Sequence, residues 1–246
     1  MEEPPNEEIS FLPPFLSTRF AVRLLGGMFL LTAAVSWLAV GVDFAQLQLA
    51  AQLAKEGDIE RTTWLAHWLS EQVVNAIQLG CMGLTALAFL FWLYRVRVNV
   101  RALGMRKLHY RREWTVLSFL VPILNLLRPY QVVREIWQAS DAQSSGPVGW
   151  KAVRTPRFLA YWWVLLLTYL GLEVLAWLLF DPTAPLATRR TSYAISLLAD
   201  GSAAVSASLA YFVVSGITDA QDAKHAAWGR ADPNASVAFD PRDSAN

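Results

Sequence analysis

Two neighbouring stretches decide how this chain folds: Trp92–Gly104, WLYRVRVNVRALG, and Trp114–Ser140, WTVLSFLVPILNLLRPYQVVREIWQAS. The first carries an apolar segment straight into regularly spaced arginines. The second starts apolar, is interrupted by Pro122 and Asn125, and ends in an amphipathic pattern. An apolar run that meets arginines reads as a membrane span arriving at the cytoplasmic side, where loops carry an excess of Lys and Arg. RVRVNVR alternates like a strand, yet an isolated strand at a membrane edge would lack partners, so the helix is expected to continue through it.

Working outward, 54% of the 246 residues are hydrophobic and only 17% charged, and the eleven tryptophans sit among long apolar blocks. That pattern excludes an ordinary soluble domain. A hydrocarbon core of about 30 Å needs about 20 apolar residues in a helix. Four segments have that length: 21–42, 73–94, 158–180 and 193–217. The fold class is therefore an all-α integral membrane protein. Residues 19–223 form its polytopic domain, between an acidic, proline-rich leader (1–18) and a tail (224–246) that both read as disordered. The first span is too long for the apolar part of a cleaved signal, about 7–15 residues, and is read as retained. Cys81 is the single cysteine, so neither a disulfide framework nor a cysteine metal cluster is available.

The apolar segment 114–127 would reach only about 21 Å as a helix. If it dips and returns to the same side, seventeen of the 21 Lys and Arg lie on the inner face and four outside. If it spans, the split is eleven to ten and the positive-inside bias vanishes. The reading is four full spans plus a short re-entrant or interfacial hairpin, with both termini cytoplasmic in the cell inner (plasma) membrane; five spans is the alternative. Pro122 lacks an N–H and disfavours helix at Val121, and Asn125 can bond the backbone groups freed at the break. After the turn, Pro129 suits the first helical position. Tyr130, Val133, Ile136 and Trp137 then share one face of an interfacial helix over 129–140, and Gln131, Arg134, Glu135 and Gln138 take much of the other.

These residues carry a resemblance. Trp92-Leu93-Tyr94-Arg95, Asn99, Arg101 and Gly104, then Trp114, Pro122, Asn125-Leu126, Arg128-Pro129-Tyr130-Gln131 and Arg134-Glu135-Ile136-Trp137 resemble a bacterial multi-span membrane family known as domain of unknown function 4328. The resemblance runs from about the first span to Gln221. Where that family often has Pro-Gly before the tryptophan of the dip, Arg111-Arg112-Glu113 stands here, which implies a more helical and more basic approach. The resemblance implies the multi-span fold and brings no reaction, substrate or cofactor.

Two carboxylates fall inside spans, Glu173 and Asp200, and intramembrane charge usually marks an interior cavity. Both lie roughly 6–8 Å from the midplane on the same side, so they could face one another and share a proton, as a candidate ion or proton site. The last span is also rich in small residues, Gly201 to Ala204 and Ser206 to Ser208, which permit close helix approach. Twelve positive residues between Arg95 and Arg157 would attract anionic headgroups, with Arg95, Arg101, Asn125, Arg128 and Arg134 as candidate lipid or phosphate contacts. No nucleic-acid module is present. Without HExxH, GxSxG or a cofactor fingerprint, neither an enzyme nor a cofactor is expected, and with no His or Cys beside His67 no metal site is assigned. The sequence favours an interaction or regulatory membrane module with a basic cytoplasmic face, partnered by the lipid bilayer and by a second copy or another protein. The alternative is a small oligomeric transporter or channel subunit that uses Glu173 and Asp200.

Overall fold

Long apolar runs free of proline continue as helix well beyond the length needed to cross a bilayer. In a computed structural model, residues 14–56, 61–105, 108–110, 114–120, 126–142, 144, 149–179 and 186–231 are described. Among the described residues six α-helices follow in order: α1 (Arg19–Glu56), α2 (Arg61–Ala102), α3 (Trp114–Leu120), α4 (Arg128–Ser140), α5 (Arg157–Leu179) and α6 (Leu186–Ala231), with a 3-10 turn at Gly149–Ala152 before α5. No strand occurs among the described residues. Four helices, α1, α2, α5 and α6, contain stretches long and apolar enough to cross a membrane. The seven-residue α3 is not one of them. The turn expected at Pro122 and Asn125 lies outside the described residues.

The RVRVNVR stretch is helical, as expected, and α2 ends just after it in a specific cap. Gly104 adopts φ 79°, its N–H bonds to the Arg101 carbonyl at 3.0 Å, and the Met105 N–H bonds to the Val100 carbonyl at 3.2 Å. That is a Schellman motif, and its left-handed residue favours glycine. The first loop is shorter than expected, because α1 runs past Val42 to Glu56 and α2 already starts at Arg61.

The chain divides into two units. Unit 2, residues 23–89 and 156–213, holds most of the apolar helix length. Its interior is a coiled-coil-like seam: on α1, Leu25, Phe29, Thr32, Ser36, Ala39, Asp43, Gln46 and Ala50 alternate at spacings of four and three and are all buried. On α6, Ala199, Ala203, Ala207 and Ala210 are buried at spacings of four, four and three; of the small residues expected there for close approach, Ala203, Ala204, Ser206 and Ala207 are interior, while Gly201, Ser202 and Ser208 are half-exposed. A Cβ on Gly26 would come within 2.9 Å of Tyr211, so the backbone of α1 is close to α6. Helices α5 and α6 are antiparallel in a fixed register: Ser206 Oγ donates to the Trp162 carbonyl and Ser192 Oγ to the Ala176 carbonyl, both at 3.1 Å. The outer faces are inverted relative to a soluble protein. Leu30, Trp37, Leu84, Val174 and Trp177 are exposed, Trp177 by 75%. An apolar surface of that extent suits lipid.

Unit 1 comprises residues 1–22, 90–155 and 214–246. Its apolar core is Trp92, Leu93, Val96, Val100 and Leu103 with Val132, Val133, Ile136 and Ile217. Buried polar groups bind the pieces together. Gln221 donates to the Val96 carbonyl (2.9 Å) and to Ser140 Oγ (3.0 Å), and accepts from Asn99 Nδ2 (3.3 Å). The Asn99 amide also pairs at two points with the backbone of Leu16. Phe15 stacks on His225 at 4.2 Å, so residues 14–18 of the leader are docked. Lys224, buried, donates to the carbonyls of Ala139, Asp141 and Ser144 and to Ser144 Oγ at the end of α4. The helix therefore persists where the tail was expected to begin.

Helix α4 spans Arg128–Ser140, one residue longer than expected, but its polar face is not simply outward. Glu135 and Gln138 are buried. The Glu135 carboxylate accepts the backbone N–H groups of His109 and Tyr110, and Gln138 Nε2 donates to the Val153 carbonyl at 2.6 Å. Trp137 closes over Gly216, where an added Cβ would stand 2.5 Å from the indole. Loops on either side of α4 need donors and acceptors, and these two side chains supply them.

Candidate functional site

In unit 2 the α1 seam changes character halfway along, from Leu25 and Phe29 to Thr32, Ser36, Asp43 and Gln46. Thr32 to Gln46 covers about 21 Å along the helix. Each polar group meets another. Thr32 and Thr85 hydroxyls share a hydrogen bond of 2.9 Å. Gln78 Nε2 donates to Ser36 Oγ at 3.4 Å and to Asp200 Oδ1 at 2.5 Å. Gln46 Nε2 donates to Glu71 Oε2 at 3.1 Å and to the His67 carbonyl at 3.0 Å.

Asp200 is 4% exposed and Asp43 8%. The side chains of these two acids interact directly. Asp43 Oδ2 is nevertheless buried with no hydrogen-bond partner among the described residues. Among the described residues, the charges that act on Asp43 are those of Asp200, Glu71 and Glu173. Glu71 differs, because Arg189 lies within its field. Two carboxyl groups face to face repel unless a proton or a small cation sits between them, and such a pair titrates as a unit. No three His, Cys, Asp or Glu side chains converge as metal ligands among the described residues.

Of the acids expected from sequence, Asp200 lies at the centre of this layer. Glu173, half-buried on α5, is within electrostatic range of both Asp200 and Asp43. The direct neighbour of Asp200 is Asp43, which a reading by apolar length assigns to the outer loop. Gln78 escapes the same reading. The four-three spacing of Thr32, Ser36, Asp43 and Gln46 was the signal that could have found Asp43. The basic candidates belong to unit 1: Arg95 and Arg101 on α2, Arg128 and Arg134 on α4. Arg101 and Arg134 are exposed and Arg95 half-buried, while the Arg128 guanidinium lies 5.7 Å from the Tyr110 ring centre. Asn125 is outside the described residues.

The family model described as Domain of unknown function (DUF4328) matches residues 55–219. That range contains Gln78, Glu173 and Asp200, and Asp43 precedes it. No curated protein and no solved structure matches the chain. With more than half of its length under one family model, the chain belongs to the DUF4328 family.

Proposed function

We propose that this protein conducts or exchanges protons, or a small monovalent cation, across the inner (plasma) membrane, with both termini cytoplasmic and the Asp43–Asp200 pair as the binding point. The observation that carries this reading is the pair itself: two buried carboxyls in mutual contact, held by Gln78 among apolar helices, with one oxygen unpartnered among the described residues. Intramembrane acids are costly unless they bind something. The polar seam on α1 supplies hydroxyls and amides on either side of the pair, as a relay requires. A single four-helix chain offers little enclosed volume, so the pathway belongs to a homo-oligomer, and the exposed apolar length of α5 suits such packing.

The test is flux in proteoliposomes with an entrapped pH indicator and an imposed potential. The expected result is a wild-type proton flux that Asp200→Asn and Asp43→Asn each remove and that Glu173→Gln only weakens. Wild-type vesicles with no proton, sodium or potassium flux above empty vesicles would refute the reading. The interaction or regulatory role favoured by the sequence keeps the support of the exposed cations on α2 and α4.

A further inference from the structure

Unit 1 contains a cavity of about 660 Å³ lined by Leu108, His109, Arg134, Gln138, Trp150 and Lys151. Its walls are built. Glu135 grips the backbone of His109 and Tyr110 on one side, and Gln138 holds the segment after the 3-10 turn through the Val153 carbonyl on the other. The exposed His109 ring stands edge-on to Tyr110, with ring centres 4.8 Å apart. Lys151 extends over Trp150 with its ammonium 5.7 Å from the ring centre, and both Lys151 and Arg134 are exposed.

The lining carries two permanent cations, an imidazole and a carboxamide, and no carboxylate among the described residues. The nearest acid in sequence, Glu135, is engaged with two backbone N–H groups. Trp150, only 7% exposed, gives the lining an aromatic wall. Arginine provides a planar two-point fork for phosphate oxygens, and lysine a point charge beside it. The volume falls in the range of organic-ligand sites, about 300–1,000 Å³, and is generous for a bare inorganic anion.

We propose that this cavity binds the phosphate of an organic phosphoester, with Arg134 and Lys151 on the phosphate oxygens, His109 at the rim, and the apolar part of the ligand against Leu108 and Trp150. A phospholipid headgroup and a soluble phosphate ester share this chemistry. The cavity shares no residue with the acid layer of unit 2 and stands or falls independently of any flux.

The experiment uses the full chain in nanodiscs. In neutral phosphatidylcholine discs, glycerol phosphate and inorganic phosphate are titrated by calorimetry. In a second arm, native mass spectrometry of the detergent-purified protein counts bound phosphatidic acid against phosphatidylcholine. Binding of glycerol phosphate assigns a soluble ester, and retention of phosphatidic acid without glycerol phosphate binding assigns a headgroup. In whichever arm binds, Arg134→Gln and Lys151→Gln should each weaken binding about tenfold or more, as expected for loss of a charged hydrogen bond. The paired control Arg23→Gln with Arg157→Gln, exposed cations outside the lining, should leave it nearly unchanged. The proposal is overturned if neither arm shows binding, or if the control pair weakens binding as much as the cavity variants. All four positions are at least partly exposed, and a thermal melt of each variant confirms that it folds.

Discussion

Replacing Lys224 by Met tests whether the polar hub of unit 1 is a structural requirement. The ammonium donates to the Ala139 carbonyl (3.1 Å), the Asp141 carbonyl (3.2 Å), the Ser144 carbonyl (2.9 Å) and Ser144 Oγ (2.5 Å). Methionine keeps the length of the stem and removes the charge. The Asp141 carbonyl then keeps the Ser144 backbone N–H, which leaves the single Ser144 O–H for the Ala139 carbonyl. The Ser144 carbonyl has no other partner among the described residues. Hydrogen bonds to a charged group are worth about 1.5–3 kcal/mol, and an orphaned buried acceptor costs about 1–3 kcal/mol. Relief from burying the ammonium offsets part of this. The net expectation is a loss of about 3 kcal/mol, roughly a hundredfold in the folding equilibrium. Ser144→Ala should cost about 1 kcal/mol, because it removes one of the four bonds, and the double variant should cost less than the sum, since the two groups share a bond. The assay is reversible unfolding by SDS titration from mild detergent, followed by circular dichroism. A Lys224→Met protein as stable as the wild type would refute the account of α4 as a helix whose C-terminal end is fastened to α6.

Other expectations follow from particular contacts. Gly216→Ala pushes a methyl into Trp137 and should cost about 1–3 kcal/mol, as overpacking does, with Trp137→Leu restoring most of the loss in the same assay. Gly104→Ala places a side chain at φ 79° and should lower stability by about 1–2 kcal/mol, whereas Gly83→Ala, which meets open space, should be nearly neutral or slightly stabilising. Converting Thr32 and Thr85 together to Val removes a buried hydroxyl pair without orphaning either partner, so stability should change by less than about 1 kcal/mol. If proton flux is present, this pair of substitutions also tests whether the relay extends that far along α1. On a Cys81→Ala background, single cysteines at positions 145, 188 and 236 should react with an impermeant thiol reagent in intact cells at 188 alone. Labelling at 145 and 236 but not at 188 would establish five spans.

Apolar length located all four spanning helices, because lipid leaves the backbone little choice but helix. The same criterion hides Asp43. A search for uninterrupted apolar residues stops at the first charge and ends the first span at Val42, although α1 continues with its buried seam intact through Gln46 and Ala50. Periodicity, rather than the overall apolar character of a segment, carries the information about which polar residues face inward. On α4 the opposite error arises: polarity places Glu135 and Gln138 outward, but backbone N–H and carbonyl groups of the adjoining loops recruit them inward. That pairing depends on loop geometry and leaves no trace in helical spacing. The motif residues of the family make structural sense afterwards. Trp92 donates to Thr218, Asn99 clasps Leu16, Gly104 caps α2, Glu135 anchors the loop before α3, and Trp137 packs on Gly216. They build unit 1, while the acid pair lies in unit 2. The motif therefore marks family membership without pointing to the acids.

The most direct test of the central claim is labelling of the purified protein with dicyclohexylcarbodiimide, an apolar reagent that attacks protonated carboxyl groups, with the modified residue identified by peptide mass spectrometry. The account predicts modification at Asp43 or Asp200 that falls as the pH is raised or a competing monovalent cation is added, and that disappears when both are changed to Asn. Modification confined to other acids, or labelling at Asp43 and Asp200 that neither pH nor cations alter, would contradict it.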